Sequence, residues 1–174
     1  MSDSRPQFTA VDARVRGKFR IMPSADDLPM ISLGSEQRPG GYDDLVNSKL
    51  PEAVVSFLIN MANQLDYIAA LLEEKKLDEE FPHILDGCSI SGSGIDFYTD
   101  HHLEIGAYLE TLLTLNALPL KMAGAVGKVV KKEQTPQGDK YSLQFTRISE
   151  PNLDAIVHFV FQEQRKSIRE HHWT

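Results

Sequence analysis

The sequence predicts a mainly β fold with added helix: a small antiparallel β-barrel, interrupted by one long coiled-coil-like helix and closed by a C-terminal helix. Three observations carry this expectation. Downstream of Phe81-Pro82 the apolar residues fall on alternate positions in several runs broken by turn residues, as strands with one buried face require. Between Ser48 and Leu77 the apolar spacing changes to threes and fours, the period of a helix. After Ser149 the helical spacing returns. Short strands at regular intervals are the pattern of a small closed sheet.

Length and composition fit one domain over residues 1–174. A chain of 174 residues with 41% apolar and 25% charged side chains can bury a core without staples. The most apolar stretch, Ala53 to Leu72, contains Asn60, Asn63, Gln64 and Asp66 and reads as a soluble helix, not a membrane span. Met1 to Pro6 lacks an apolar run, so no secretory leader is expected. The single Cys88 excludes a disulfide framework and fits a reducing, cytoplasmic setting. A net charge of −7 argues against a DNA or RNA partner held by general electrostatic attraction.

Taken in order, residues 1–20 read as a mobile arginine arm. Arg5, Arg14, Arg16, Lys18 and Arg20 face only Asp3 and Asp12, which suits an anion clamp. Phe19 to Met22 reads as a short extended piece. A turn-rich stretch with Pro23, Pro29, Gly34, Pro39, Gly40 and Gly41 follows, with a strand expected at Met30 to Leu33.

The longest element is expected over residues 48–77, with Ser48 as N-cap and Pro51 in the first turn. Val54, Leu58, Met61, Leu65, Ile68 and Leu72 alternate steps of four and three, the seam of a coiled coil over nearly three heptads. An apolar seam on an inserted helix needs a cover. We expect self-association as a dimer or tetramer through these six residues, with packing on the helix's own barrel as the competing arrangement.

Barrel strands are expected within 81–150: Ile84 to Ser91, Ile95 to Thr99, Ile105 to Leu115, Leu120 to Lys132 and Lys140 to Ile148. Asp100-His101, Asn116 to Pro119 and Pro136 to Asp139 separate them. A helix over 152–170, capped by Ser149 or Asn152, carries Leu153, Ile156, Val157, Val160, Phe161 and Ile168 at helical spacing and is expected to close one barrel mouth.

The chemistry concentrates in Cys88-Ser89-Ile90-Ser91-Gly92-Ser93-Gly94-Ile95-Asp96-Phe97. Alternate serines put Ser89 and Ser91 on one strand face, and glycine in a strand marks a bulge or a close backbone approach. Taken alone, the stretch favours a bland reading: a tight hairpin corner in which Gly92 and Gly94 supply positive φ and the serines satisfy local amides.

The order of the pieces resembles the PilZ domain family, bacterial receptors for cyclic di-GMP. Arg16-Gly17-Lys18-Phe19-Arg20 has the spacing of that family's R-x-x-x-R pair. Ser89-Ile90-Ser91-Gly92-Ser93-Gly94 falls on its D/N-x-S-x-x-G motif, where Ser91 and Gly94 fit and Ser89 stands in place of Asp or Asn. The resemblance implies a PilZ-like barrel, a long helix inserted between the two motifs, and a non-enzymatic receptor that passes the signal to a protein partner whose identity it does not give. It also implies a cyclic di-GMP site on Arg16, Arg20, Ser89, Ser91 and Gly94, arginine being suited to guanine edges, phosphates and stacking alike. Losing the charged acceptor at Ser89 is expected to weaken binding about tenfold. The alternative implied by the same departure is a degenerate, oligomeric interaction module that does not bind the nucleotide.

Catalytic and metal signatures are not expected. Cys88 lies near His83 in sequence but reads as strand packing. Adjacent His101-His102 and His171-His172 complete no ligand spacing. No phosphate-cradling G-x-x-x-x-G-K-[ST] loop occurs. No cofactor or metal is therefore expected beyond the nucleotide itself.

Overall fold

The computed structural model describes residues 8–29, 45–117 and 120–172; the strand expected at Met30 to Leu33 lies outside them. Six antiparallel strands close on themselves: β1 (Val11–Met22), β2 (His83–Ser91), β3 (Gly94–Tyr98), β4 (Tyr108–Ala117), β5 (Leu120–Thr135) and β6 (Gly138–Arg147). Their order around the barrel is β1-β2-β3-β6-β5-β4, and β1 pairs with β4 to complete the circle. Full closure leaves no sheet edge to recruit another chain.

Residues 11–20, expected in a mobile arm, form most of β1. The reason is visible in the alternation. Val15, Gly17 and Phe19 are buried, while Asp12, Arg14 and Arg16 are exposed. A strand with one face in the core tolerates a row of cations on the other.

The interior is filled by Val15, Phe19, Leu85, Ile90, Ile95, Phe97, Leu109, Leu113, Val129, Tyr141 and Leu143. Each large side chain of this kind contributes about 1.5–3 kcal/mol on full burial. The rings of Phe19, Phe97 and Tyr141 run through it with centroids 5.9 Å apart in succession. Tyr141 remains satisfied at 1% exposure because its hydroxyl accepts the Leu103 N–H at 3.2 Å. At the end of the barrel where the inserted helix joins, the His83 ring lies 5.1 Å from Phe19 and 4.0 Å from His101.

Helix α1 spans Glu52–Glu80 and follows Pro51, without a side-chain cap. Ser48, expected as its N-cap, instead donates its hydroxyl to the Leu45 carbonyl at 2.6 Å. The helix is fixed to the barrel at its far end, where Asp78 pairs with Lys18 and the next residue after the helix, Phe81, is buried. Its apolar row stays open. Val54, Leu58, Met61, Leu65, Ile68 and Leu72 are 37–71% exposed, so the barrel does not cover the seam.

Helix α2 (Glu150–His172) does pack on the barrel, against β5, β1 and β2. Ile156 and Val160 enter the core, with Ala155 and Phe159 partly buried beside them. Phe161 and Ile168, expected in that stripe, are about 60% exposed. The helix turns Phe159 inward, so Phe161 and Ile168 lie off its packed face.

Candidate functional site

The Ser/Gly stretch forms the β2–β3 hairpin. Its two-residue turn, Gly92-Ser93, fixes the pairs Ser91↔Gly94, Ile90↔Ile95 and Ser89↔Asp96. The Ser91 hydroxyl accepts the Ser93 N–H at 3.2 Å and lies 3.0 Å from the Ser93 hydroxyl. Ser91 is 7% exposed, so its first task is local: it holds the turn, as serine does in such corners. The Ser93 carbonyl then accepts the Phe145 N–H at 2.9 Å, which ties the turn to the end of β6.

Neither glycine of the corner is there for positive φ; among the described residues only Gly106 and Gly138 adopt it. A Cβ on Gly94 would sit 2.3 Å from the Leu143 carbonyl oxygen. Gly94 thus permits the close approach of β3 to β6. A Cβ on Gly92 would strike the ring of Phe8, 2.6 Å away.

Ala10, Ser89, Ile90, Ser91, Ser93, Gly94, Ile95 and Asp96, with Val130, Leu143 and Gln144, line an open cavity of about 270 Å³ above this hairpin. That is slightly below the usual size of a small-molecule site, enough for part of a ligand whose remainder lies along the barrel wall. A bulge in β2 between Gly87 and Ser89 shifts the register and leaves Ser89 half-buried at the rim.

The two arginines are not brought to this corner. Asp12 is the residue of β1 opposite Ser89, whereas Arg16 lies opposite Asp86, three residues along β2 or about 10 Å at strand rise. Arg16 is exposed, and no acceptor among the described residues holds it. Arg20 lies four residues further along β1 and pairs with Glu110, whose side chain is 4% exposed. Its guanidinium also reaches the Leu28 carbonyl at 3.4 Å. In an extended strand the four residues from Arg16 to Arg20 span about 13 Å.

Cys88 is half-buried, and its thiol donates to the Asp96 carbonyl at 3.3 Å. Burial, then the negative charge of Asp96, push the thiol pKa up, away from a reactive thiolate. His83 is engaged with His101, and burial followed by the His101 charge lowers its pKa. Among the described residues no three His, Cys, Asp or Glu side chains converge in a metal-like group.

A closed six-stranded antiparallel barrel with flanking helices defines a small β-barrel domain. The chain belongs to the PilZ domain family, whose pattern matches residues 75–162, just over half of it. No curated protein sequence matches. Among solved structures, a Xanthomonas campestris protein described as a tetrameric PilZ domain self-assembled through a helical bundle aligns at TM-score 0.56 and 17% identity, over 94% of this chain and 92% of that one. The Bacillus subtilis inhibitor of motility, MotI/DgrA, aligns at TM-score 0.52 and 11% identity over 94% of this chain. This chain spans about half, 52%, of that protein's length. A PilZ domain of Escherichia coli YcgR, described with c-di-GMP, aligns at TM-score 0.42 and 9% identity, over 53% of this chain and 79% of that one. Among the described residues no helix is long and apolar enough to cross a membrane.

Proposed function

We propose that this chain is a non-enzymatic cytoplasmic receptor that takes cyclic di-GMP at the β2–β3 corner and relays its presence to a protein partner, as an assembly of several copies. The observation that supports the ligand reading is the cavity over Ser89, Ser91 and Gly94, formed by the segment that carries the family's binding motif. Ser89 presents a hydroxyl at the rim, Ser91 fixes the turn, and Gly94 keeps backbone groups close to the ligand. Arg16 stands about 10 Å along the wall, free to meet a phosphate of a ligand extended in that direction. Arg20 is committed to Glu110 and serves the barrel instead.

The assembly is proposed to form through α1. Six exposed apolar residues at coiled-coil spacing each gain about 1.5–3 kcal/mol on burial, enough together to offset the cost of association. The likeness to a PilZ domain that assembles through a helical bundle supports this choice of surface.

Calorimetric titration with cyclic di-GMP tests the ligand reading. Binding in the micromolar range is expected, weakened several-fold by Arg16→Ala and unchanged by Arg20→Ala. The placement of both arginines away from the corner favours a second reading, an interaction module without a nucleotide ligand. No heat of binding at high protein concentration establishes that reading in place of the first.

A further inference from the structure

Ser89 lacks the carboxylate or amide of the family motif, yet a carboxylate stands directly across from it. Asp96 on β3 is the register partner of Ser89, and side chains so paired have Cβ atoms about 4.5–5.5 Å apart on one face. Asp96 lines the same cavity. It is half-buried, and its carboxylate makes no hydrogen bond or ion pair with any described residue. The fixed positive charges nearby are otherwise occupied: Lys140, whose pKa Asp96 helps to raise, is paired with Glu133 at 3.4 Å. Asp96 opens onto a pocket lined by the serines of the hairpin.

We infer that Asp96 is the guanine-reading acid of this site, moved one strand across the hairpin from the position Ser89 now holds. The inference rests on the proposed nucleotide reading. Guanine offers two adjacent N–H donors on its pairing edge, at N1 and the 2-amino group, and a carboxylate accepts both in a fork. Adenine presents a lone pair at N1 and only its 6-amino group as a donor on that edge, so the same carboxylate finds no adjacent pair of donors and meets the N1 lone pair instead. Asp96 therefore supplies base specificity, while Ser89 adds a shorter, neutral contact beside it. Asp12, the other acid in register with Ser89, is exposed and does not line the cavity, which leaves Asp96 as the acid in place.

The test is a set of titrations with cyclic di-GMP and cyclic di-AMP on the full chain. The unaltered protein is expected to prefer the guanine ligand. Asp96→Ala is expected to weaken cyclic di-GMP binding by about tenfold to a hundredfold, the range of charge-assisted hydrogen bonds, and to erase the preference with no change in melting temperature. The exchange Ser89→Asp with Asp96→Ser returns the acid to β2 and is expected to restore the preference. Should Asp96→Ala fold poorly, Asp96→Leu keeps a side chain of similar size without an acceptor and is expected to lose the same discrimination. Binding and preference unchanged in both Asp96 variants overturn the inference while the receptor reading stands. Absence of cyclic di-GMP binding in the unaltered protein removes both.

Discussion

The ring of Phe8 lies against Gly92, so close that a β-carbon there would be 2.6 Å from it. Gly92 is buried although it sits at the tip of a hairpin. Phe8 is not part of the barrel core; its ring covers the turn from outside. Glycine is required here by a neighbour, not by backbone conformation.

Gly92→Ala is expected to cost about 1–2 kcal/mol by overpacking. The cost is expected to vanish in a Phe8→Ala background, where the space is empty. A double-mutant cycle from denaturant melts measures this coupling; additive losses would show that the two residues do not meet in solution.

At Gly94 the obstacle is main chain, the Leu143 carbonyl oxygen, which cannot swing aside as a ring can. Gly94→Ala is expected to destabilise the barrel by about 3 kcal/mol or more by prying β3 from β6. Denaturant titration checks it, and a loss below about 1 kcal/mol would mean that the strands separate without cost.

Leu65 stands at the centre of the open row on α1, at 62% exposure. Leu65→Asp places an unpaired charge in the proposed seam. Light scattering is expected to report several chains for the unaltered protein and 19.5 kDa, one chain, for the variant, with circular dichroism unchanged. A monomer at tens of micromolar before any substitution defeats the assembly.

Burial, then the neighbouring His101, lowers the pKa of His83. Its pKa in the folded state lies below the unfolded value of 6.5, so the unfolded chain binds more protons between the two. This contribution to stability is complete above pH 6.5 and is lost as the pH falls below it. The melting temperature is expected to drop from pH 7.5 to 5.5 by less in His83→Phe than in the unaltered protein. Equal drops would exclude the pair as the origin.

Much of this was legible in the chain. Period-two runs located β2 to β6 within a few residues because one face of each is core, and heptad spacing located α1. The strand β1 was legible too: Val11, Val15 and Phe19 alternate with cations, but the charges on its outer face drew the reading towards an arm. The same charges suggest an arginine clamp, which four residues can form by closing up in a flexible loop, whereas along a strand they spread over about 13 Å. Asp96 could have been found by counting outward from a two-residue turn at Gly92-Ser93. Phe8 could not, because nothing local links it to a glycine 84 positions on.

The closure of the barrel also sets an order of events. The paired residues of β1 have partners 64 to 98 positions further along, with α1 between, whereas β2–β3 and β5–β6 are joined by two-residue turns. Local hairpins form before distant pairings. The first strand is therefore the last to be stitched in, and until then β2 and β4 carry open edges at which another chain can dock. Pulse-labelled hydrogen exchange during refolding is expected to protect the β5 and β6 amides ahead of those of Val15 to Ile21. The vulnerable interval of this protein is the wait for its own opening strand.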